Sequence, residues 1–468
     1  MEQLTLSFIE QKQPPQQVSL AEKSYLERLI SSLSSDLNFQ ENANGFHPAH
    51  KVHSFPAKFP PQLPRKFILA LTEPGDIVLD PMVGSGTTLL ESFLLGRQAV
   101  GVDIDPVAIL LCHVKNEIYA DVLLRATAKK VITEAYKTIK ASPSSILERK
   151  ANRFNSETCK FIDYWFSEEV QIELIALLEQ IETIPNPKAR DFFKLVFSST
   201  IITKNGGVSL ALDLAHTRPH RAQTVLAQDG KVILGDVNNN KKHLTKKLRS
   251  PIHEFQKKFE NSLNGTLGFP PSDVFPIINY GNAKALPIES NSVDLIVTSP
   301  PYASNAIDYM RAHKFSLIWF GYPINELTHR RKTYIGSDGT FNGTPVVLPA
   351  SVQNVVSRLS KKSKSKSASV HRYYSEMTLV LGEMYRVLKP GKASIVVVGN
   401  STLSGEDVEI EESLIAIGQD AGFEIPKIGI RQLDRNRRML PAGTHLDMSS
   451  QIQQRMHEEY VIGFYKPE

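Results

Sequence analysis

Four consecutive residues, Ser299-Pro300-Pro301-Tyr302, bring together groups that could do chemistry. They follow an apolar, β-branched run at 293–297, which is typical of a strand buried in a parallel sheet. Prolines cannot continue such a strand because they lack an N–H group and fix φ. We therefore expect the strand to end in a hydroxyl, a stiff carbonyl and an aromatic ring. They would lie at the carboxyl edge of the sheet, where open α/β sheets bind ligands.

This set suits the alkylation of an exocyclic amine on a nucleobase. The amine is a poor nucleophile because its lone pair is delocalised into the ring. The Ser299 hydroxyl and the Pro300 carbonyl could accept its two hydrogens and shift the nitrogen toward sp³ geometry. Tyr302 would then stack on a base that has swung out of its helix. The alternative is an ordinary turn, since Ser and Pro are common in turns.

A glycine-rich turn lies in the segment PGDIVLDPMVGSGTT at 74–88. A short apolar strand at 77–79 ends at Asp80-Pro81, and Gly84-Ser85-Gly86 predicts a tight turn into a helix that opens at Thr87. Glycines let the backbone approach a ligand, and the helix N-terminus supplies free N–H groups.

A second strand is predicted at 99–104, and it ends in Asp103 and Asp105. An acid about 20 residues after the glycines is placed to hydrogen-bond ribose hydroxyls. A dinucleotide site is the alternative, but GSGTTL lacks the third glycine of that fingerprint. With Ser-Pro-Pro-Tyr in the same chain, S-adenosylmethionine is the better ligand.

In these motifs the chain resembles the amino-group DNA methyltransferases, which make N4-methylcytosine or N6-methyladenine. The matching segments occur in an order similar to that of the alpha class. They resemble the family's cofactor-closing segment (53–60, HSFPAKFP), glycine loop (80–88), ribose-binding strand end (102–105), adenine-side loop (280–283), catalytic strand end (299–302), the helix and turn before its fifth strand (384–392) and its last, antiparallel strand (459–466). Many members carry Asp where this chain has Asn282.

The resemblance implies a doubly wound, Rossmann-like α/β class I methyltransferase sheet with an antiparallel last strand, plus a largely helical insertion. It implies S-adenosyl-L-methionine as the cofactor, no metal and no covalent enzyme intermediate. The catalytic residues would be Ser299, Pro300, Pro301 and Tyr302. The cofactor would be bound by Lys58, Phe59, Asp80, Pro81, Gly84, Ser85, Gly86, Thr87, Asp103, Ile104 and Asn282.

The motif order divides the 468 residues into six parts. They are a tail and helix (1–45, disordered over 1–18), the cofactor-binding half of the catalytic domain (46–111), a mostly helical insertion (112–276), the catalytic strand and following helix (277–320), a basic loop insertion (321–375) and the C-terminal half of the catalytic domain (376–468). Apolar spacing predicts helices at 19–38, with Ser19 as the cap, and at 168–184 after Ser167. The catalytic sheet is expected to start near Phe67 and to resume near Ile277.

Basic stretches at 241–258, 358–372 and 431–438 could neutralise the phosphates of double-stranded DNA. The alternatives are a solvated surface or, for the Ser/Lys run at 359–368, a flexible linker. The insertion at 112–276 is the candidate target-recognition region, and 321–375 is the rival. Asn205-Gly206-Gly207 and the Arg218, His220 and Arg221 cluster are candidate DNA contacts there, or plain surface.

Other features narrow the class of protein. Two cysteines are too few for a disulfide framework or a cysteine-based zinc site, and neither follows proline as in cytosine-C5 methylation. The net charge of +5 fits almost any soluble protein. No targeting signal or apolar run of about 18 residues is present, so a cytoplasmic protein is expected. Prolines among His47, His50 and His53 argue against a metal site.

We therefore expect a site-specific DNA methyltransferase in a restriction–modification context. Ser299 favours cytosine N4, with adenine N6 as the alternative, because Asp or Asn is commoner there in adenine enzymes. An RNA base amine methyltransferase, a nicotinamide dehydrogenase and a non-catalytic DNA-binding specificity subunit are weaker alternatives. Whether a cognate restriction endonuclease is a partner is left open.

Overall fold

The structure is a computed structural model that describes residues 23–39, 46–56, 58, 60–214, 219–227, 229–236, 244–269, 275–303, 308–337, 343, 346–433 and 458–468. The predicted disordered tail, the proposed cap Ser19, Phe59 and Arg218 lie outside these residues.

A sheet of seven strands forms the centre of the described chain. Its order is β11-β12-β8-β7-β1-β2-β6, and β12 alone runs against the other six strands. The predicted class I methyltransferase sheet with an antiparallel last strand is therefore confirmed. The strands are β1 Ile77–Asp80, β2 Gln98–Asp103, β3 Thr224–Leu226, β4 Val232–Leu234, β5 Thr245–Lys247, β6 Ile277–Tyr280, β7 Val293–Thr298, β8 Leu388–Gly399, β9 Thr402–Leu403, β10 Glu406–Asp407, β11 Glu424–Gln432 and β12 Glu458–Tyr465.

The apolar run before Ser299 forms β7, whose six residues are all buried. It pairs in parallel with β1 on one side and β8 on the other, with Leu79 opposite Ile296. Parallel neighbours end at the same edge of a sheet. The glycine turn after β1 and the Ser-Pro-Pro-Tyr segment after β7 are therefore brought side by side.

Helices cover both faces of this sheet. Helices α1 and α2 pack on one face through residues such as Leu33 and Phe67, and α13, α14 and α15 pack on the other. The helices are α1 Tyr25–Ser34, α2 Gln62–Leu71, α3 Thr87–Leu94, α4 Pro106–Lys115, α5 Asp121–Ala141, α6 Pro143–Arg153, α7 Ser156–Trp165, α8 Glu168–Glu182, α9 Pro187–Ile201, α10 Pro251–Gly265, α11 Tyr309–Leu317, α12 Ile324–Arg331, α13 Ala350–Lys362, α14 Lys364–Val387 and α15 Ile410–Asp420.

The insertion between β2 and β6 contains helices α5 to α10 and the small sheet of β3, β4 and β5. Its apolar core is continuous with residues of the cofactor-binding half, such as Phe55 and Val107. The same core takes in Phe315 and Trp319, which follow the catalytic strand. The insertion therefore does not have a separate core, and the segment after β7 packs into it.

Several sequence-based boundaries differ from the structure. Helix α1 begins at Tyr25, where Ser24 and Glu27 form a capping box, and it ends before Leu37. Phe67 lies in α2 rather than at the start of the sheet. The predicted basic loop at 321–375 is largely helical, and its Ser/Lys run lies at the junction of α13 and α14. Apolar residues Val352, Val355, Leu359 and Val370 are buried against the sheet, which favours helix over linker.

Two features are absent from the described residues. No helix there is both long enough and apolar enough to cross a membrane. No group of three or more His, Cys, Asp or Glu residues there could hold a metal ion.

Helix α1 approaches the sheet closely at Gly429 of β11, so Gly429→Ala should destabilise the fold. A Cβ atom there would lie 2.9 Å from the Leu33 carbonyl oxygen and 2.5 Å from the Leu37 side chain. Overpacking of this kind costs about 1–3 kcal/mol. Urea unfolding measures the loss.

The matched control is Gly382→Ala within α14, where a Cβ atom would meet nothing within 4 Å. Its free energy of unfolding should rise by about 0.5–1 kcal/mol, because alanine favours helix and restricts the unfolded chain. Equal effects of the two substitutions would contradict the packing argument.

Candidate active site

A cleft opens at the carboxyl edge of the sheet, where β1, β2, β6 and β7 end. It brings together the glycine loop, the acidic end of β2, the loop after β6 and the Ser-Pro-Pro segment. Its lining residues are Phe55, Pro81, Met82, Val83, Gly84, Ser85, Asp103, Ile104, Asp105, Gly281, Asn282, Ala283, Ser299, Pro301, Tyr309, Thr333, Tyr334 and Ile335.

The ends of β1 and β7 are joined by side-chain hydrogen bonds. The Thr298 hydroxyl donates to Asp80 Oδ1 at 2.7 Å, and the Thr88 hydroxyl donates to the Val297 carbonyl at 3.1 Å. Burial raises the pKa of Asp80 to about 6, although hydrogen bonds from Thr298 and the Met82 N–H oppose the shift. Asp80 is therefore a buried group that fixes the two loops and does not line the cleft.

The glycine loop is held from behind by α4. Gly84 and Gly86 both have positive φ, and a Cβ atom on Gly86 would lie 2.8 Å from the Cys112 sulfur. The buried Lys115 ammonium donates to the Ser85 carbonyl at 2.6 Å. Helix α3 starts at Thr87 without a side-chain cap, so its first N–H groups are available at the loop, as expected.

Two carboxylates occupy the end of β2. Asp103 accepts hydrogen bonds from the Gly84 N–H at 2.7 Å and the Asp105 N–H at 2.8 Å. Burial, with the nearby Asp105 carboxylate, raises the pKa of Asp103 to about 7. Asp105 is also buried, but His313, at 2.6 Å, more than offsets that effect and lowers the pKa of Asp105. The two carboxyls therefore have different pKa values, and Asp103 is the one that titrates near neutrality.

The catalytic strand end has Ser299 and Pro301 in the cleft, while Tyr302 reaches toward β12. The Tyr302 hydroxyl donates to Glu459 Oε1 at 3.3 Å, and Arg431 forms an ion pair with the other oxygen of Glu459. Burial and the Glu459 carboxylate raise the pKa of Tyr302, so its phenol remains protonated. The position of the Tyr302 ring is therefore fixed by the hydrogen bond from its hydroxyl to Glu459.

Eight of the predicted site residues line the cleft: Pro81, Gly84, Ser85, Asp103, Ile104, Asn282, Ser299 and Pro301. Asp80, Gly86, Thr87, Pro300 and Tyr302 lie beside it without lining it. Lys58 is placed elsewhere, because its ammonium donates to the carbonyls of His53 at 2.6 Å and His50 at 3.1 Å. Lys58 thus fixes its own segment, and burial lowers its pKa to about 7.

Ten lining residues were not among the predicted site residues, and six of them lie in segments already matched to the family: Phe55, Met82, Val83, Asp105, Gly281 and Ala283. Phe55 belongs to the segment already matched to the family, so the motif carried a signal for it. Tyr309, Thr333, Tyr334 and Ile335 follow the catalytic strand in a region that carries no recognised motif, and only tertiary structure brings them to the cleft.

Some candidate DNA contacts face inward. Gly206 and Gly207 are buried, and a Cβ atom on Gly206 would lie 1.9 Å from the Ala211 carbonyl oxygen. Arg431 is 4% exposed and paired with Glu459, so it is not a surface phosphate contact. Arg221 lies over the Tyr164 ring at 4.5 Å.

Comparisons with known proteins agree with the sheet and the cleft. A family model described as DNA methylase matches residues 10–112. The Type II methyltransferase M.MvaI of Kocuria varians is 26% identical over 404 residues, covering 81% of this chain and 84% of the relative. M.BsoBI of Geobacillus stearothermophilus is 24% identical over 76% of this chain and 74% of its own. M.AvaI of Nostoc sp. is 22% identical over 89% of this chain and 88% of its own.

The sheet order and the glycine loop are those of the class I methyltransferase fold. The family model and the relatives support the resemblance to the amino-group DNA methyltransferases that the motifs show. They also support S-adenosyl-L-methionine as the cofactor. The cleft fits it, because a buried carboxyl with a raised pKa, a glycine loop and the Phe55 ring face one space. The relatives do not distinguish cytosine N4 from adenine N6.

Glu459 should act on catalysis only through the Tyr302 hydroxyl. Tyr302→Phe and Glu459→Gln should each lower kcat by about tenfold, because the first removes the charge-assisted hydrogen bond and the second replaces its charged acceptor with a neutral amide. The double variant should be no slower than the slower single variant. Single-turnover methylation at saturating cofactor measures these rates.

Glu458→Gln is the matched control, since Glu458 is the preceding residue and hydrogen-bonds the exposed Gln432 instead. It should leave the rate unchanged. Multiplicative losses in the double variant would show that Glu459 does not work through Tyr302.

The affinity for S-adenosylhomocysteine should rise with pH across the Asp103 pKa of about 7. Ribose hydroxyls donate to the ionised carboxylate, so binding lowers the pKa and releases a proton. At pH 6 about a tenth of the carboxyl is ionised, so affinity should be about tenfold weaker than at pH 8. Calorimetry in two buffers of different ionisation enthalpy measures the affinity and the proton release.

The Asp103→Asn variant should bind S-adenosylhomocysteine more weakly, and its affinity should no longer change with pH. An unchanged slope in this variant would assign the titration to another group.

Proposed function

We propose that this protein is a site-specific DNA methyltransferase that transfers the methyl group of S-adenosyl-L-methionine to an exocyclic amine, with cytosine N4 as the preferred target. The observation that supports this most strongly is the shared cleft. Ser299 and Pro301 of the amine-binding turn line it together with Gly84, Asp103 and Asn282 of the cofactor loops. A methyl donor and an acceptor amine bound in one cleft can react without a covalent enzyme intermediate.

The chemistry assigned to the chain is positioning and hydrogen-bond acceptance. When bound, the cofactor supplies an electrophilic methyl group on a sulfonium. Ser299 Oγ and the Pro300 carbonyl accept the two hydrogens of the amine and direct its lone pair. Tyr302 stacks on the flipped base. The proton leaves to solvent after transfer.

The choice of cytosine N4 rests on Ser299. A hydroxyl is a neutral acceptor that can serve either amine, and adenine N6 is the second candidate. The match to Type II methyltransferases favours DNA as the substrate and a restriction–modification context. A cognate endonuclease, the boundaries of the domains and a cytoplasmic location stay predictions.

Incubation with labelled S-adenosylmethionine and DNA or RNA, followed by nucleoside digestion and mass analysis, tests the function. N4-methylcytosine in DNA is expected, and N6-methyladenine would support the second candidate. Label in RNA alone would contradict a DNA substrate. No transfer by a protein that binds DNA would favour a specificity subunit.

Ser299→Ala should lower the transfer rate at least about a hundredfold, because it removes one of the two amine acceptors. S-Adenosylhomocysteine affinity should change little. Gly84→Val should do the reverse and weaken cofactor binding first, since its Cβ would lie 3.5 Å from the Phe55 ring at a positive φ. Equal loss of both functions in both variants would overturn the division of roles.

A further inference from the structure

One wall of the cleft comes from a segment outside the family's motifs. Residues 332–337, here called the strap, follow α12 in a series of turns, and Thr333, Tyr334 and Ile335 line the cleft. Asp103, Asn282 and Gly84 line the same space. The strap thus shares the cleft with the residues proposed to hold the cofactor.

The strap is fixed by a buried carboxylate on α14. The Gly336 N–H donates to Glu376 Oε2 at 3.0 Å, and Glu376 is 2% exposed. Arg372, one turn earlier, hydrogen-bonds both Glu376 and the Lys332 carbonyl. The strap is therefore held at both ends by a side-chain pair of a single helix.

The same carboxylate also reaches the opposite loop of the site. Lys284 forms an ion pair with Glu376 at 3.0 Å, and Lys284 lies two residues after Asn282. The Lys284 N–H donates to Asn282 Oδ1 at 3.1 Å. Glu376 therefore sets the positions of two cleft walls that are far apart in the sequence.

The Tyr334 hydroxyl is buried and has no partner at full hydrogen-bond distance and angle among the described residues, although the Asp105 carboxylate lies close to it. Burial and the neighbouring Asp105 and Asp103 carboxylates raise its pKa, so it remains a protonated donor. A buried donor without a partner is unfavourable, and it becomes favourable when a ligand supplies the acceptor.

We propose that the strap completes the cofactor site, with Tyr334 binding the ribose side of the cofactor through its hydroxyl and Glu376 acting as the positioning residue. Asp103 lies beside Tyr334 and accepts hydrogen bonds from the ribose hydroxyls. The Tyr334 phenol therefore donates a hydrogen bond to an oxygen of the same ribose. This inference rests on the proposed function, since it assumes an adenosine-containing cofactor in the cleft.

Calorimetric titration of the full-length protein with S-adenosylhomocysteine tests the inference. Tyr334→Phe should weaken binding about tenfold, the usual effect of losing one buried hydrogen bond. Tyr373→Phe is the matched control, because the Tyr373 hydroxyl is also buried without a partner but lies in the core beneath α14, away from the cleft. It should bind as the wild type does.

The ligand can be varied in the same way. Analogues lacking the ribose 2′ or the 3′ hydroxyl should bind the wild type more weakly. One of these two analogues should bind the Tyr334→Phe variant as tightly as it binds the wild type. Additional tenfold loss with both analogues would place the hydroxyl contact away from the ribose and overturn this part of the proposal.

Glu376→Gln should raise the KM for the cofactor several-fold and leave kcat at saturating cofactor within about twofold, since only the cofactor walls shift. Lys284→Gln breaks the ion pair between Lys284 and Glu376 and provides the same test if Glu376→Gln fails to fold. A fall in kcat with an unchanged cofactor KM would overturn the positioning role.

The two proposals fail in different ways. If the wild type binds no S-adenosylhomocysteine, the proposed function is wrong. If the wild type binds it and Tyr334→Phe binds equally well, the function stands and the strap assignment is wrong.

Discussion

The hydrogen bond between Asp80 and Thr298 is the contact on which the site depends. It joins the carboxyl ends of β1 and β7 at 2.7 Å, in a region from which water is excluded. The glycine loop continues directly from one partner, and the Ser-Pro-Pro-Tyr segment continues from the other. A second hydroxyl, that of Thr88, ties the first turn of α3 to β7. The glycine loop and the Ser-Pro-Pro-Tyr segment can therefore share one cleft only while these two strands remain adjacent.

The insertion between β2 and β6 takes part in the same arrangement. Helix α11, which follows the catalytic turn, packs its apolar face into the insertion core and places His313 against Asp105. A further buried chain links His53 to Ser198 of α9 and Ser198 to Ser316 of α11. The cofactor-closing segment, the insertion and the catalytic helix are thus connected by buried polar contacts.

The direction of β12 has a consequence for the target-base side. Because β12 runs against the other strands, its first residues lie at the edge where the parallel strands end. Glu459 lies opposite Gly399 near the end of β8, and it reaches the Tyr302 hydroxyl from there. An antiparallel last strand therefore supplies an acidic residue to a site otherwise built from strand ends. The buried Arg431 guanidinium forms an ion pair with that carboxylate and fixes its position.

The sequence by itself determined the strands β1, β2 and β7, the glycine turn and the family, because each is encoded locally. Apolar runs, glycines that need positive φ and prolines that end a strand act over a few residues. The sequence also placed Ser299, Asp103 and Asn282 in one site, since the carboxyl ends of parallel strands share an edge. It assigned Lys58 to the cofactor, whereas folding turns its ammonium onto nearby backbone carbonyls.

Only the tertiary structure decided the roles of residues whose partners are distant in the chain. The strap that carries Tyr334 is fixed by Glu376, which lies 40 residues after Gly336 and accepts a hydrogen bond from the Gly336 N–H. Arg431 reads as basic surface in the sequence but is buried because Glu459 lies on the neighbouring strand. The basic segment at 359–368 could be a linker by composition, yet apolar residues on either side of it, Val355, Leu359 and Val370, are buried in the core beside the sheet and favour helix. Burial and pairing across long separations set these outcomes, and no local pattern carries that information.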